Sequence, residues 1–311
     1  MTDLRPCPRV GVVIPTTDRP ALLRRAIAAV VAQDYPGPIE TVVVFDGTEP
    51  DPDLVVTEQE RPLRPVRVLP NTRTSGLSGT RNTGILGLDT EFVAFCDDDD
   101  HWLAAKVRRQ VERATAPDHP EMVTCAITVD FDGVRTDRLA GTDAVTHADL
   151  TRSIYSMLHS SCFFFDRRTL VEEIGLINEE LPGSQLEDWD IKLRAAARRP
   201  IAHIDEPLTV VQWGRASLFA RRWHTKNAAL RHILTLHPAI AADRRGAARV
   251  YGQLAFGTAA AGERAESWRW IRRCVRSDPR QWRAAAALAV LPNPRNAERV
   301  LDTLHHFGRG V

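Results

Sequence analysis

The sequence predicts an α/β fold, a mostly parallel sheet flanked by helices, followed by an all-helical C-terminal region. Three observations carry this. The runs Arg9–Pro15 (RVGVVIP), Glu40–Phe45 (ETVVVF) and Phe92–Cys96 (FVAFC) are nearly continuous in apolar residues, the pattern of strands covered on both faces. A segment of helical period separates the first two, the strand–helix–strand order of a parallel layer. From Ala216 onward the pattern is helical throughout, so residues 1–215 and 216–311 are expected to form separate domains.

Taken in order, Arg9–Pro15 is the first strand and Thr16-Thr17-Asp18-Arg19 a polar loop. Pro20 then opens a helix bearing Leu22, Leu23, Ala26, Ile27 and Val30, which ends at Asp34-Tyr35-Pro36-Gly37-Pro38. The second strand turns sharply at Asp46-Gly47-Thr48, and Val66–Leu69 is a third. Residues 71–82 (NTRTSGLSGTRN) form a Gly- and hydroxyl-rich loop before a helix beginning near Gly79. The amides of such a loop can cradle a diphosphate, and a plain surface turn explains it equally well.

The strand Phe92–Cys96 ends in Asp97, Asp98, Asp99 and Asp100. The carboxyl ends of buried strands are where open α/β sheets bind ligands. Four adjacent carboxylates repel unless a divalent cation or hydrogen-bond donors neutralise them, the alternative being a solvated acidic turn. A helix is expected from Trp102 through Val107 and Val111, then a strand at Met122–Val129 and a polar loop over residues 132–152. His159-Ser160-Ser161 leads into a strand at Cys162–Phe165, with a short helix at Arg168–Ile174. A second acidic group, Glu187-Asp188-Trp189-Asp190, opens a helix after the loop 182–186, and His203–Val211 closes the domain as a last strand pair. Helix capping accounts for one acid in a first turn and less well for three within four residues. The same dipole suits a carboxylate acting as general base.

Composition narrows the class. With 43% hydrophobic and 26% charged residues and no run long enough for a bilayer span, the chain reads as an ordinary globular protein. The N-terminus lacks the pattern of a signal peptide, and five scattered cysteines without a CxxC pair suggest a cytoplasmic location and no zinc site. The net charge of +1 conceals 17 Lys and Arg against 6 Asp and Glu from Ala216 on, and 24 against 34 before it. Such asymmetry suits an anionic partner or a solvated helical surface, and nothing points to nucleic acid.

In combination these motifs resemble the GT-A-fold glycosyltransferases of family 2, over roughly the first 215 residues. The motifs are Val12-Val13-Ile14-Pro15-Thr16 with Asp18-Arg19, Gln33-Asp34-Tyr35-Pro36, and Gly76-Leu77-Ser78 with Arg81-Asn82-Thr83-Gly84. Asp97 to Trp102 and Glu187-Asp188-Trp189-Asp190 complete the set. The resemblance implies inverting transfer from a nucleotide-diphosphate sugar, a UDP-sugar favoured. It implies a nucleotide-sugar site of Pro15, Thr16, Asp18, Arg19, Asp46, Gly76, Ser78, Arg81, Asn82, Asp97 and Asp98. Mn²⁺ or Mg²⁺ would sit on Asp99 with Asp97. Asp188 would act as general base beside Glu187, with His159 and Trp189 as acceptor contacts. Phe45, Thr17 and Gln212-Trp213 depart from the family's pattern. The acceptor would be a saccharide, a lipid-linked saccharide or a small molecule. A non-catalytic nucleotide-sugar-binding or helical-repeat interaction protein is the alternative reading. A sugar-phosphate nucleotidyltransferase would want a Gly-rich basic loop after the first strand, which Pro15-Thr16-Thr17-Asp18 is not.

In the C-terminal region Ser217 is expected to cap a helix with Phe219, Trp223, Leu230 and Ile233, and Asp278-Pro279 and Asn293-Pro294 to start two more. Tyr251, Leu254, Ala255, Ile271, Cys274 and Pro279 resemble the spacing of one tetratricopeptide-like helix pair. Trp268–Arg273 (WRWIRR) mixes aromatic and basic residues as an interfacial helix does, which suggests peripheral contact at the inner face of the plasma membrane.

Overall fold

The computed structural model describes residues 7–213 and 222–306. It separates into two compact units. The first comprises Met1–His147, Tyr155–Glu179 and Glu187–Ser217, the second Ala148–Ile154, Glu180–Leu186 and Leu218–Val311.

The first unit opens with β1 (Val10–Thr16), α1 (Pro20–Val31), β2 (Ile39–Phe45), β3 (Val66–Pro70), α2 (Leu77–Gly87) and β4 (Phe92–Phe95). β1 is buried at every position, which is why its sequence shows no alternation. β1 pairs in parallel with β2 on one side and β4 on the other, and β2 with β3. The chain therefore runs outward from β1 through β2 to β3, then returns to β1's other edge. That reversal makes the carboxyl ends of β1 and β4 the topological switch point of the sheet, the crevice where α/β folds take ligands. α2 lies close on β1: a Cβ at Gly84 would come within 2.3 Å of Val13 Cγ1, so the approach admits only glycine.

The first unit continues with β5 (His101–Trp102), α3 (Lys106–Ala114), β6 (Met122–Phe131), β7 (Val134–Arg138), β8 (Ala144–Val145), β9 (Phe164–Asp166), α5 (Arg167–Thr169), α6 (Glu187–Arg198) and β10 (Ile201–Trp213), while α4 (His147–Arg152) belongs to the second unit from Ala148 on. The strand order is β3-β2-β1-β4-β9-β6-β10-β5, with β7 on β6 and β8 on β10. β6 and β10 are parallel, and β9 runs antiparallel to both β4 and β6, giving the mixed, mostly parallel sheet expected.

Three expectations need correcting. The polar stretch 132–152 is not an irregular loop: β7 folds back on β6 through Asp132-Gly133, both at positive φ (51° and 84°). Asp-Gly is the residue pair that a tight hairpin turn prefers, and β7's five exposed residues hid the strand from a hydrophobicity reading. The expected pair of last strands is one strand, β10, whose register shifts around Pro207, where proline has no N–H to give the ladder. Trp102 lies in β5 and α3 starts four residues later.

In the second unit α7 (Trp223–Leu236), α8 (Pro238–Ala242), α9 (Arg244–Ala260), α10 (Arg264–Ser277), α11 (Trp282–Val290) and α12 (Asn296–His306) succeed one another. The Ser217 cap and Phe219 lie outside the described residues. α9 and α10 pack on each other: Tyr251 and Trp270 stack at 5.5 Å, Ser267 Oγ donates to Ala255 O (2.8 Å) and Cys274 Sγ approaches Ala248 O at 3.2 Å. Asp278 and Asn293 each accept the amide two residues on, forming turns that precede α11 and α12.

Candidate active site

The acidic corner arises directly from β4. Cys96 N still bonds Val13 O (3.1 Å), and the chain then leaves the sheet, so Asp97–Asp100 turn tightly at the switch point. Their exposure alternates. Asp97 and Asp99 keep 18% and 30% of their side-chain surface, whereas Asp98 and Asp100 keep 0% and 2%. The two inward carboxylates are held by donors, as buried charges must be. Asp98 accepts from Thr16 Oγ1 (2.7 Å) across the β1–β4 switch and pairs with the Arg19 guanidinium. Asp100 accepts from Ser161 Oγ (2.5 Å) and the Gln212 amide (3.2 Å), with His159 Nδ1 at 3.3 Å.

Electrostatics differ along the four. Burial pushes Asp98 up to about 6 despite Thr16 and Arg19. Asp99 is raised by burial and by Asp100 and Asp97, with its Oδ2 2.5 Å from Arg19 Nη1 working the other way. For Asp97 burial also works upward, but Arg81 and His159 outweigh it and hold the carboxyl below its ordinary value. His159 is pushed up to about 9: burial opposes its charge, yet Asp100, Asp97 and Asp188 all favour it.

The second acidic group meets the first through Arg81. This guanidinium is almost wholly buried, spans Asp97 Oδ1 (2.6 Å) and Glu187 Oε1 (2.8 Å), and lies 5.7 Å from the Phe95 ring. Glu187 is pushed up to about 7 by burial, with Arg81 countering and Asp188 adding to the rise. Asp188, one residue on, retains 28% of its side-chain surface and pairs with Lys192 Nζ at 3.2 Å, one turn along α6. The turn into α6 holds Leu186 at φ 67°, a backbone state that non-glycine residues seldom adopt and that clusters at functional sites.

The other predicted contacts distribute unevenly. Thr16, Asp18 and Arg19 line a cleft of 130 Å³ between the ends of β1 and β2, together with Phe45, Thr48 and Glu49. Pro15 is buried in β1 opposite Val44. Asp46 ties down the loop between β3 and α2, accepting from Asn71 Nδ2 (2.8 Å), Ser75 Oγ (3.2 Å) and the Gly76 amide (2.8 Å). Gly76 takes φ 116° as it enters α2, whose first turn buries Ser78. Asn82 instead clamps the backbone of Ile177 and the Glu179 carboxylate. Trp189 is wholly buried in the body of the unit and offers no ring face to an acceptor. Lys192 was not singled out by sequence. Its signal was the i, i+4 spacing from Asp188, which is unremarkable on any helix.

On the chemistry of its donors the corner fits a hard divalent cation. Asp97, Asp100 and His159 have ligand atoms within 4.8 Å of one another, and the mutual repulsion that raises Asp99 is the kind a cation relieves. Among the carboxylates, Asp97 and Asp99 keep open surface and are the better placed oxygen donors.

The sequence model of Glycosyl transferase family 2 matches residues 11–175. The chain is 25% identical over 185 residues to the GalNAc(5)-diNAcBac-PP-undecaprenol β-1,3-glucosyltransferase of Campylobacter jejuni, covering 58% of this chain and 59% of that protein. An uncharacterized glycosyltransferase of Haemophilus influenzae is 35% identical over 107 residues, 34% of this chain and 39% of its own length. The chain thus spans about three fifths or less of the length of these relatives. Among solved structures, S. aureus TarS 1-349 in complex with UDP superposes with a TM-score of 0.60 at 18% identity, over 94% of this chain and 87% of that one, a likeness of fold. The family match takes in more than half of the chain, including the β1–β4 switch and the aspartate corner, and the chain belongs to the family 2 glycosyltransferases, on the GT-A fold that its sequence predicts.

Proposed function

We propose that the chain catalyses inverting transfer of a sugar from a nucleoside-diphosphate donor, a UDP-sugar foremost, to an acceptor hydroxyl. The observation that carries this reading is the Arg81 bridge. It ties the Asp97 corner to Glu187, so that Asp188 stands beside the same group of charges. The cleft lined by Thr16, Asp18, Arg19 and Phe45 is suited to base and ribose, and the S. aureus relative in fold is named with UDP bound. Asp97 and Asp99 would hold Mn²⁺ or Mg²⁺, which when bound neutralises a diphosphate leaving group. Asp188 takes the proton from the acceptor hydroxyl as its oxygen bonds the anomeric carbon and the bond to the diphosphate breaks. Arg19 adds positive charge near the leaving group.

Two measurements test the reading. With Mn²⁺ present, the purified protein is expected to hydrolyse one member of a nucleotide-sugar panel, and UDP at about 100 times its Kd to stabilise the fold by about 2.7 kcal/mol. Metal-stimulated binding with no turnover across donors and acceptors would instead support a non-catalytic binding protein.

The acceptor is proposed to be lipid-linked, the class named for the Campylobacter relative, with peripheral attachment to an anionic membrane. No helix among the described residues is long and apolar enough to cross a bilayer. α10 supports surface attachment: it buries Ser267, Ile271 and Cys274, while its other face exposes Trp268, Arg269, Arg272, Val275 and Arg276. Co-sedimentation with phosphatidylglycerol vesicles, lost on Arg269→Glu/Arg272→Glu and absent with phosphatidylcholine, is the expected result. Equal recovery with both lipids would remove the electrostatic argument.

A further inference from the structure

Lys192 is a lysine with no exposed surface, on the first turns of the helix that carries the acidic pair. Burying an ammonium is costly unless acceptors surround it. Here Nζ lies 3.2 Å from Asp188 Oδ2, 3.1 Å from Leu158 O and 3.4 Å from Tyr155 O. The two carbonyls belong to one turn, closed by Leu158 N donating to Tyr155 O (2.9 Å), and Tyr155 is held at φ 49°. An aromatic residue in that region is strained, and its carbonyl is delivered to the lysine by the strained turn.

The same segment continues into His159, Ser160 and Ser161. Ser160 Oγ donates to Asp97 (3.0 Å), and Ser161 Oγ meets both the Asp97 amide (3.0 Å) and the Asp100 carboxylate. One stretch of seven residues is thus fastened to Asp188 through Lys192 at one end, and to the aspartate corner at the other.

We propose that Lys192 is the positioning residue for the general base. Its ammonium engages Oδ2 of Asp188, fixes the plane of the carboxylate, and leaves Oδ1 to receive the acceptor's proton at a set distance from the aspartate corner. An ion pair on a helix surface would not do this, because an exposed lysine swings freely. This one is locked by two main-chain carbonyls. The inference rests on the assignment of Asp188 as base.

The test uses the full chain and Mn²⁺-dependent turnover of a UDP-sugar, with Lys192→Met, Asp188→Asn and the double variant. Lys192→Met is expected to lower kcat by about 10²-fold, the scale of a displaced catalytic group. The donor KM is expected to stay within about twofold of the parent, since neither the lysine nor the Asp188, Tyr155 and Leu158 groups it holds line the nucleotide cleft. In the Asp188→Asn background the same change is expected to do nothing further to kcat, because the two act as one unit. If Lys192→Met fails to give native near-ultraviolet dichroism, Lys192→Gln, which keeps a donor for the carbonyls but no charge, takes its place. A loss that multiplies independently of Asp188→Asn, or appears in KM alone, overturns the proposal. Unchanged kcat in Lys192→Met with loss in Asp188→Asn overturns it while leaving the base assignment standing. Full activity in Asp188→Asn defeats the base assignment itself.

Discussion

Asp188→Asn is expected to reduce kcat for transfer by about 10²- to 10⁴-fold, the usual contribution of a positioned general base, with donor affinity nearly unchanged. The asparagine keeps the shape of the side chain and an oxygen for Lys192 Nζ, now 3.2 Å from the carboxylate, so α6 and the buried lysine retain their arrangement. The capacity to accept a proton disappears. Donor affinity survives because Thr16, Asp18, Arg19 and the aspartate corner are untouched. Titration of UDP in the presence of Mn²⁺, set beside initial rates, separates the two effects. A matching fall in affinity and rate would mean that Asp188 contributes to donor binding rather than to proton transfer.

Arg81→Met should produce the largest loss of stability, about 3–5 kcal/mol, the cost of leaving buried charge without its partner. Its guanidinium is shared by Asp97 and Glu187 at 2.6 and 2.8 Å, and neither carboxylate has enough open surface to recover full hydration. The loss has a defined pH dependence. Glu187 sits at about 7 in the folded chain, above the ordinary carboxylate value, chiefly through burial. A carboxyl raised in this way supports the fold below its unfolded value, and that support is lost as pH rises through about 7. Removing Arg81 raises Glu187 further, so the destabilisation is expected to be larger at pH 8 than at pH 5. Urea midpoints at the two pH values, with chelator present, measure it. A change below about 1 kcal/mol at pH 8 would show that water or rearrangement compensates both acids.

Much of the site was legible in the chain because it lies at strand ends. A continuous apolar run stops where the backbone leaves the sheet, so Thr16 and Asp97–Asp100 announce their place by the residues that precede them. β7 carries a turn signal in Asp132-Gly133, but its exposed residues carry no hydrophobic signal to mark the strand itself. Side-chain direction is another matter. Asn82 and Arg81 are neighbours in one motif, yet Asn82 holds the Ile177–Glu179 segment while Arg81 joins two acids 90 residues apart in sequence. Their positions about 100° apart around α2 send them to different partners, and those partners come from distant segments.

The chain by itself determined the parallel layer, the two acidic groups and the helical character of the C-terminal region, because periodicity and strand-end position are local properties. Only the tertiary structure decided which two of the four aspartates turn inward, that one buried arginine serves both acidic groups, and that Lys192 grips Asp188. These outcomes depend on burial and on charges brought together from distant segments, and the strength of an ion pair is set by that enclosure rather than by sequence spacing.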